Sequence, residues 1–295
     1  AWIVIPADPE YILDESELKK LVQIARKKKI KVISSDSSDV IFQEIKKNTP
    51  DIVVISTYNK ILPKKILSIT KFINIHHGDL PSYRGRANIN WAIINGRDKI
   101  GLTFHEVTTD LDAGNIYEQY IVPISDNDTV NIIYKKFNTL ILDNLPKIIE
   151  KVLKDDTGEP QVGESTYCCT RLPEDGYIDW SKSTKQIYNL IRALTHPYPG
   201  AFTYLDTEKI IIWNAAIPKK SLKYVGRIPG RVIKIIPTVG VEVLTGDSSI
   251  IIKDIEYKNN KINASKIIVS TKKTLGLSIP VLFEAVRQYL KSHKT

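Results

Sequence analysis

The 295-residue chain has an ordinary globular composition, 42% hydrophobic and 25% charged, so it can bury a large core. No apolar run reaches the ~20 residues that a membrane span needs, and no secretory signal opens the chain, which favours a cytoplasmic protein with no membrane partner. Its two cysteines, Cys168 and Cys169, are adjacent and too few for a zinc site. We therefore expect reduced thiols and no bound metal.

A surplus of Lys and Arg gives a net charge of +9 and a pI of about 9.2. This charge is compatible with a nucleic-acid partner or with an anionic small substrate. Most of the basic residues are scattered singly, and the lysine run at 27–29 lies in a helical segment. Such a distribution is typical of a solvated surface, so we favour the anionic small substrate and keep nucleic acid as the alternative.

The first 56 residues alternate between strands and helices. The pattern predicts strands at 2–5, 30–33 and 51–56, with helices at about 15–28 and 39–47 between them. This alternation favours a parallel sheet with right-handed crossovers, and the apolar run at 51–56 is of the kind that such a sheet buries on both faces. There is no Gly-x-Gly-x-x-Gly motif, so nothing indicates a nicotinamide cofactor.

The most informative stretch is residues 74–86, Asn-Ile-His-His-Gly-Asp-Leu-Pro-Ser-Tyr-Arg-Gly-Arg. A strand that delivers Asn74 and His76 places both side chains on one face of its sheet. The carboxyl ends of such strands are where open α/β sheets bind ligands. The loop at 108–116 then offers Asp112, a carboxylate able to hold a neighbouring His in one tautomer and raise its basicity. A lone His is more often structural, so the functional interpretation of His76 depends on the presence of Asn74 and Asp112.

Four short motifs follow one another in the order seen in the folate-dependent formyltransferases, which the chain resembles over nearly its whole length. They are Asn-x-His at 74–76, Leu-Pro-x-Tyr-Arg-Gly at 80–85, Gly-Leu-Thr at 101–103 and Asp-x-Gly at 112–114. Within that family the chain is most similar to the enzymes that formylate UDP-4-amino-4-deoxy-L-arabinose and related sugars. The resemblance implies that Asn74, His76 and Asp112 are catalytic. It also implies that 10-formyltetrahydrofolate is the co-substrate, that a nucleotide-linked amino sugar is the partner, and that a homo-oligomer is allowed.

The resemblance also assigns residues that bind the two substrates. The folate-binding residues would be Lys60, Ile61, Leu62, Arg86, Thr108, Thr109, Asp110 and Leu111. For 60–62 a plain connecting loop is the alternative, for Arg86 a surface ion pair, and for Asp110 a turn carboxylate. Tyr58 and His105 would contact the acceptor, with His105 on the open face of a strand at 100–107.

Two positions depart from the family pattern. The family usually has Ser before Leu-Pro, where this chain has Asp79, and it commonly has Pro where this chain has Asn88. We expect neither departure to touch the three catalytic residues, although both can alter folate or sugar contacts. His77 points away from His76 and is expected to be structural.

The second half of the chain changes character after Gly200. Before it, the pattern predicts a long helix at 130–153, a polar covering loop at 159–172 and a helix capped by Ser183. Beyond it, short strands are predicted at 201–204, 209–213, 230–236, 241–244 and 250–255. Five strands with turns between them favour a small antiparallel barrel of the OB type.

The predicted fold is therefore α/β, a Rossmann-like, mostly parallel sheet with helices on both faces, followed by a small OB-like antiparallel barrel. We expect a formyltransferase catalytic domain at 1–175, a connecting helix and joint at 176–200, and the OB-like domain at 201–295. Comparison with the family predicts that its first strand and helix would precede Trp2.

Two alternative functions remain. Methionyl-tRNA formyltransferase would share the catalytic trio, but that family has a long basic insertion where this chain has the short segment 6–15. That segment carries Asp8, Glu10, Asp14 and Glu15 and no basic residue, which would repel RNA phosphate. A non-catalytic, basic nucleic-acid binder of the OB type would need stacking aromatics, and 230–255 has none.

Overall fold

The computed structural model describes residues 1–7, 15–58, 60–277 and 279–292. The chain divides into two compact units. The first unit comprises residues 1–88, 99–123 and 134–170, and the second comprises 89–98, 124–133 and 171–295. Within the described ranges no helix has the length and apolar character needed to cross a membrane.

The first unit mixes strands and helices. Its strands are β1 (Trp2–Ile5), β2 (Lys31–Ser34), β3 (Ile52–Ser56), β4 (Lys71–His76), β5 (Arg84–Gly85), β6 (Lys99–Glu106), β7 (Ile116–Pro123) and β8 (Tyr167–Cys168). Its helices are α1 (Glu15–Lys27), α2 (Ser38–Asn48) and α3 (Lys64–Leu67). Two further helices, α4 (Asn88–Ile94) and α5 (Val130–Leu153), contain residues of both units.

The main sheet of the first unit has the strand order β3-β4-β6-β7. The strands β3 and β4 are parallel, as are β1 and β2, which among the described residues pair only with each other. The α/β class is confirmed, but the later strands differ from the expected parallel arrangement, because β6 runs antiparallel to both β4 and β7. The nine-residue connection between β6 and β7 is too short for a crossover, so these strands form an antiparallel pair.

The core of the first unit lies under the parallel strands. One of its buried clusters comprises Ile41, Ile45, Leu62, Ile66 and Phe72. The expectation that β3 is buried on both faces is wrong, since β3 is the edge of its sheet and Val54 is 36% exposed.

The second unit contains an antiparallel sheet and the remaining helices. Its elements are α6 (Thr184–Ala193), β9 (Ala201–Leu205), β10 (Glu208–Ala216), β11 (Val232–Ile236), β12 (Gly240–Leu244), β13 (Ser249–Tyr257), β14 (Asn260–Asn263), α7 (Ala264–Ile267) and α8 (Ile279–Ser292). The predicted cap of α6 is confirmed, because the Ser183 hydroxyl accepts the Gln186 N–H and the Gln186 side chain accepts the Ser183 N–H.

The five predicted strands of the second unit are confirmed as β9 to β13, in the order β11-β12-β13-β10-β9, with β14 beside β13. The described strands do not close into a barrel. Instead, Leu275 bridges Leu205 of β9, and its neighbour Thr274 bridges Arg231, next to β11. A short segment thus joins the two sheet edges where a barrel would have a continuous ladder.

Candidate functional site

The first unit brings together the three residues predicted to be catalytic. Asn74 and His76 project from the same face of β4, and Asp112 approaches them from the loop between β6 and β7. Asn74 Nδ2 lies 3.4 Å from Asp112 Oδ1, and His76 Nδ1 lies 3.5 Å from Asp112 Oδ2. One carboxylate therefore faces both of the other side chains, each oxygen toward a different one.

The backbone around Asp112 is held in an uncommon conformation. Asp112 has a φ of 49°, and its Oδ2 accepts the Gly85 N–H at 2.9 Å. Gln161 Nε2 donates to the backbone carbonyls of Asp112 and Gly114, at 2.8 and 2.9 Å. A Cβ at Gly114 would lie 2.1 Å from the Glu106 carbonyl oxygen, so the Asp-x-Gly motif needs its glycine. No signal in the sequence indicated Gln161.

His105 lies opposite Asn74 because the β4–β6 register pairs these two residues. Its Nδ1 lies 2.6 Å from the Glu106 carbonyl, which can only accept, so the proton is on Nδ1 and Nε2 is an acceptor. Asn74 Nδ2 donates to that Nε2 at 3.0 Å. His105 is 2% exposed, so the expectation that it lies on an open face is wrong. Both faces of β6 are covered, and His105 orients the Asn74 carboxamide.

The site keeps its histidines neutral. Burial lowers the pKa of His76 below its usual value, against opposing effects of Asp112, the Tyr83 carbonyl and Asp79. Burial, with a smaller contribution from the charge of His76, lowers the pKa of His105 to about 4. Near pH 7 His76 is therefore an imidazole that can accept a proton beside a carboxylate that can stabilise the imidazolium.

His76 Nε2 has two close neighbours of its own. The Tyr83 carbonyl oxygen lies 2.8 Å away, and Asn88 Nδ2 lies 2.9 Å away. The expectation that Asn88 would not touch the trio is therefore wrong. The turn after β4 folds the start of α4 back onto the histidine ring, which a motif read along the chain does not reveal. Gly78 allows this approach, because a Cβ there would lie 2.6 Å from Nε2.

His77 is separated from this cluster, as expected of its structural role. Its ring packs against Tyr134 and Phe137, with ring centroids 5.5 and 5.3 Å away. Burial lowers the pKa of His77 to about 4.

The segment after β3 that is predicted to bind the folate contains both buried and exposed side chains. The Leu62 side chain is buried in the core, so only its backbone is open to a ligand, which is the part that the resemblance assigns. Ile61 is 59% exposed, and the Lys60 ammonium group donates to the Asp36 carbonyl. The nearby Tyr58 hydroxyl lies 3.4 Å from the Ser38 hydroxyl. Their predicted roles in binding remain predictions.

The other predicted folate residues are close to Asp112 in sequence, apart from Arg86, which is exposed directly after β5. The Thr108 hydroxyl donates to the Asp110 carbonyl at 3.1 Å, which supports the turn, and Thr109 and Leu111 are exposed beside it. The Arg86 backbone N–H lies 3.3 Å from the Cys168 carbonyl, and its side chain is exposed. These assignments also remain predictions.

The same cluster has the composition of a possible metal site. His76, His105 and Asp112 each offer one ligand atom, and these atoms lie within 4.8 Å of one another. However, Asn74 already donates to the Nε2 lone pair of His105 that an ion would need. The side chains therefore satisfy one another by hydrogen bonds, and the absence of a metal remains a prediction.

Comparison with known proteins gives two family matches. A model described as formyl transferase matches residues 5–149, and a model described as formyl transferase, C-terminal domain, matches residues 172–272.

Two curated relatives cover similar parts of the chain. The bifunctional polymyxin resistance protein ArnA of Wigglesworthia glossinidia brevipalpis is 35% identical over 264 residues, which are 85% of this chain and 40% of that protein. The methionyl-tRNA formyltransferase of Sulfurihydrogenibium sp. is 36% identical over 251 residues, 84% of this chain and 78% of that protein. The chain thus spans less than half of the first relative's length.

Among solved structures, the N-formyltransferase from Helicobacter canadensis, in complex with folinic acid and dTDP-3-aminofucose, has a TM-score of 0.55. The match covers 79% of this chain and 81% of that one at 21% sequence identity, so it shows a shared fold.

Proposed function

The chain belongs to the formyl transferase family, and from that premise we propose that it moves the formyl group of 10-formyltetrahydrofolate onto the amine of a nucleotide-linked amino sugar. The observation that carries this proposal is the meeting of Asn74, His76 and Asp112 in one buried cluster. It provides a hydrogen-bond donor, a neutral base and a fixed carboxylate, the three groups that acyl transfer to an amine requires.

In the proposed reaction the amine attacks the formyl carbon, and negative charge develops on the formyl oxygen. Asn74 has two amide hydrogens, one of which is committed to His105 at 3.0 Å. The other faces Asp112 at 3.4 Å, the weaker contact, and is the one free to turn toward the oxyanion. A donor in that position typically contributes about 3 kcal/mol to transition-state stabilisation.

His76 accepts the proton that the attacking nitrogen loses. The new C–N bond forms as the bond from the formyl carbon to folate N10 breaks, and the imidazolium returns its proton to N10. Such transfer typically contributes about 10²–10⁴-fold to the rate. Asp112 stabilises the imidazolium, and the product is an amide, so no covalent enzyme intermediate is needed.

The acceptor is proposed from charge and resemblance. A nucleotide-linked sugar has one pyrophosphate and needs few cationic contacts, whereas a tRNA stem needs an ordered cluster of Lys and Arg near the catalytic His76. The segment 6–15 has no basic residue. Its acidic residues Asp8, Glu10 and Asp14 lie outside the described residues, and Glu15 pairs with Lys19. A nucleotide-linked amino sugar is also what the complex with the H. canadensis enzyme contains.

Methionyl-tRNA is the second candidate acceptor, favoured by the 36% identity to the Sulfurihydrogenibium enzyme and by the net charge of +9. The deciding experiment supplies 10-formyltetrahydrofolate with a panel of UDP- and dTDP-linked amino sugars, and in parallel with methionyl-tRNA, at physiological salt. We expect saturable formylation of an amino sugar and negligible formylation of the tRNA. Saturable turnover of methionyl-tRNA alone would replace our proposal with the second candidate.

A further inference from the structure

The Nε2 atom of His76 lies between two groups that make opposite demands on it. The Tyr83 carbonyl oxygen, 2.8 Å away, can only accept a hydrogen bond. Asn88 Nδ2, 2.9 Å away, can only donate one. A neutral imidazole carries its proton on one nitrogen only, so Nε2 satisfies one neighbour and opposes the other.

The orientation of the Asn88 carboxamide follows from its other contact. The same Nδ2 lies 2.8 Å from the Tyr83 carbonyl oxygen, and a carbonyl requires a donor at that distance. Turning the amide over would place two acceptor oxygens 2.8 Å apart. Asn88 is 5% exposed, and its Oδ1 has no hydrogen-bond partner among the described residues. Asn88 therefore presents an N–H group to the histidine.

The two neutral forms of His76 then differ in how many contacts they satisfy. With the proton on Nδ1, the ring points its N–H toward the Asp112 carboxylate, 3.5 Å away, and accepts from Asn88, and only the Tyr83 carbonyl is opposed. With the proton on Nε2, the ring donates to the Tyr83 carbonyl. However, its N–H group then faces the N–H group of Asn88, and the lone pair of Nδ1 faces the Asp112 carboxylate. The charges are matched at two of the three contacts in the first form and at one in the second.

We propose that Asn88 is a positioning residue that keeps the proton of neutral His76 on Nδ1 and so leaves Nε2 as the basic nitrogen. The inference rests on the proposed role of His76 as general base. Without Asn88 each form would satisfy one contact, and the nearer partner, Tyr83 O at 2.8 Å against Asp112 at 3.5 Å, would draw the proton to Nε2. When Nε2 gains a proton in the reaction, the Tyr83 carbonyl is in place to accept a hydrogen bond from the new N–H group.

The direct test is ¹⁵N NMR of histidine-labelled protein, which reports which ring nitrogen is protonated. We expect Nδ1–H for His76 in the wild type and Nε2–H in Asn88→Ala. Asn90→Ala is the matched control, because Asn90 is also buried on α4 but donates to the Ala193 carbonyl at 2.7 Å. It should keep Nδ1–H. An Nε2–H signal in the wild type, or Nδ1–H retained in Asn88→Ala, would overturn the inference.

A second readout is the pH dependence of kcat/KM. Removing the Asn88 donor leaves the Tyr83 carbonyl unopposed as partner of the imidazolium, so the pKa of His76 rises and the low-pH limb moves to higher pH. Asn88→Asp, which adds an acceptor, should move the limb further, and Asn90→Ala should not move it. An unmoved limb in both Asn88 variants would contradict the inference. The NMR measurement needs no amine substrate. A tautomer change without formylation of any tested amine would therefore refute the proposed function and leave the inference about Asn88 standing.

Discussion

Each unit contains a cluster of hydrogen-bonded polar side chains, and the two clusters use hydrogen bonds differently. The threonine cluster of the second unit comprises Thr184, Thr245 and Asp247. The Thr184 N–H donates to Asp247 Oδ1 at 2.7 Å. The Thr184 and Thr245 hydroxyls lie 2.9 and 3.1 Å from the same oxygen and 2.7 Å from each other. Although burial works against it, hydrogen bonding from Thr184 lowers the pKa of Asp247. Every donor of the cluster has an oxygen acceptor within 3.1 Å.

The catalytic cluster of the first unit, formed by Asn74, His76, His105 and Asp112, satisfies its donors less well. Its contacts to Asp112 are long, at 3.4 to 3.7 Å, and His76 faces a donor and an acceptor at once. The comparison teaches that a polar cluster whose donors all have short contacts to acceptors stabilises the fold. One with an exchangeable proton and weak contacts can do chemistry.

The largest expected effect is on turnover. His76→Ala removes the base and Asn74→Ala removes the oxyanion donor, so each should lower kcat by about 10²-fold or more at saturating substrate. Steady-state kinetics measure the effect, and circular dichroism should show an unchanged spectrum. Near-wild-type kcat in either variant would mean that the catalytic cluster is structural, like the threonine cluster.

Asp112→Asn should have a smaller effect on rate, about 10-fold or more, and should move the pH profile. Burial lowers the pKa of His76 and the Asp112 charge raises it, so loss of the charge lowers it further. The low-pH limb of kcat/KM should therefore shift to lower pH. An unchanged rate with an unchanged profile would reduce Asp112 to a turn residue.

Thr184→Val tests the other side of the comparison. It keeps the shape of the side chain but removes the hydroxyl that Asp247 and Thr245 share. We expect urea denaturation to show a loss of about 1–3 kcal/mol in the free energy of unfolding, with kcat unchanged. Thr139→Val, on an exposed position of α5, is the control and should change stability little. A fall in kcat without a loss of stability would reverse the roles of the clusters.

The smallest expected effect comes from His77. Its folded-state pKa of about 4 lies below the usual 6.5, so a fall in pH through 6.5 protonates the unfolded state first and lowers stability, until the loss is complete near pH 4. Between pH 8 and pH 6 the contribution is about 1 kcal/mol. His77→Phe, which keeps an aromatic ring against Tyr134 and Phe137, should remove this share of the pH dependence. Denaturation curves at the two pH values measure it, and an unchanged difference would contradict the assignment.

Much of the fold follows from local sequence patterns. The helix predicted at 130–153 is α5, residue for residue, because a long amphipathic period has few competing interpretations. The strands after Gly200 follow from their turns. The antiparallel direction of β6 and β7 cannot be predicted from the sequence, because apolar alternation is the same in parallel and antiparallel strands.

The candidate site divides in the same way. Ordered motifs were enough to bring Asn74, His76 and Asp112 together as candidates. The contacts that orient them were not foreseen, because strand register places His105 opposite Asn74 and a turn returns Asn88 to His76. Both depend on pairing between distant segments, which one sequence does not encode in a local pattern.

The contacts of Gln161 limit how the loop that contains it can be replaced. Its amide nitrogen supports the backbone of Asp112, and its oxygen accepts from Arg84 Nη2 at 2.7 Å, beside the Gly85 N–H that holds the Asp112 carboxylate. One side chain thus ties together the two segments that fix the carboxylate. Segment 159–170 therefore cannot be replaced by an unrelated loop without affecting Asp112. A grafted loop needs a glutamine at position 161 to keep the Asp112 carboxylate in place.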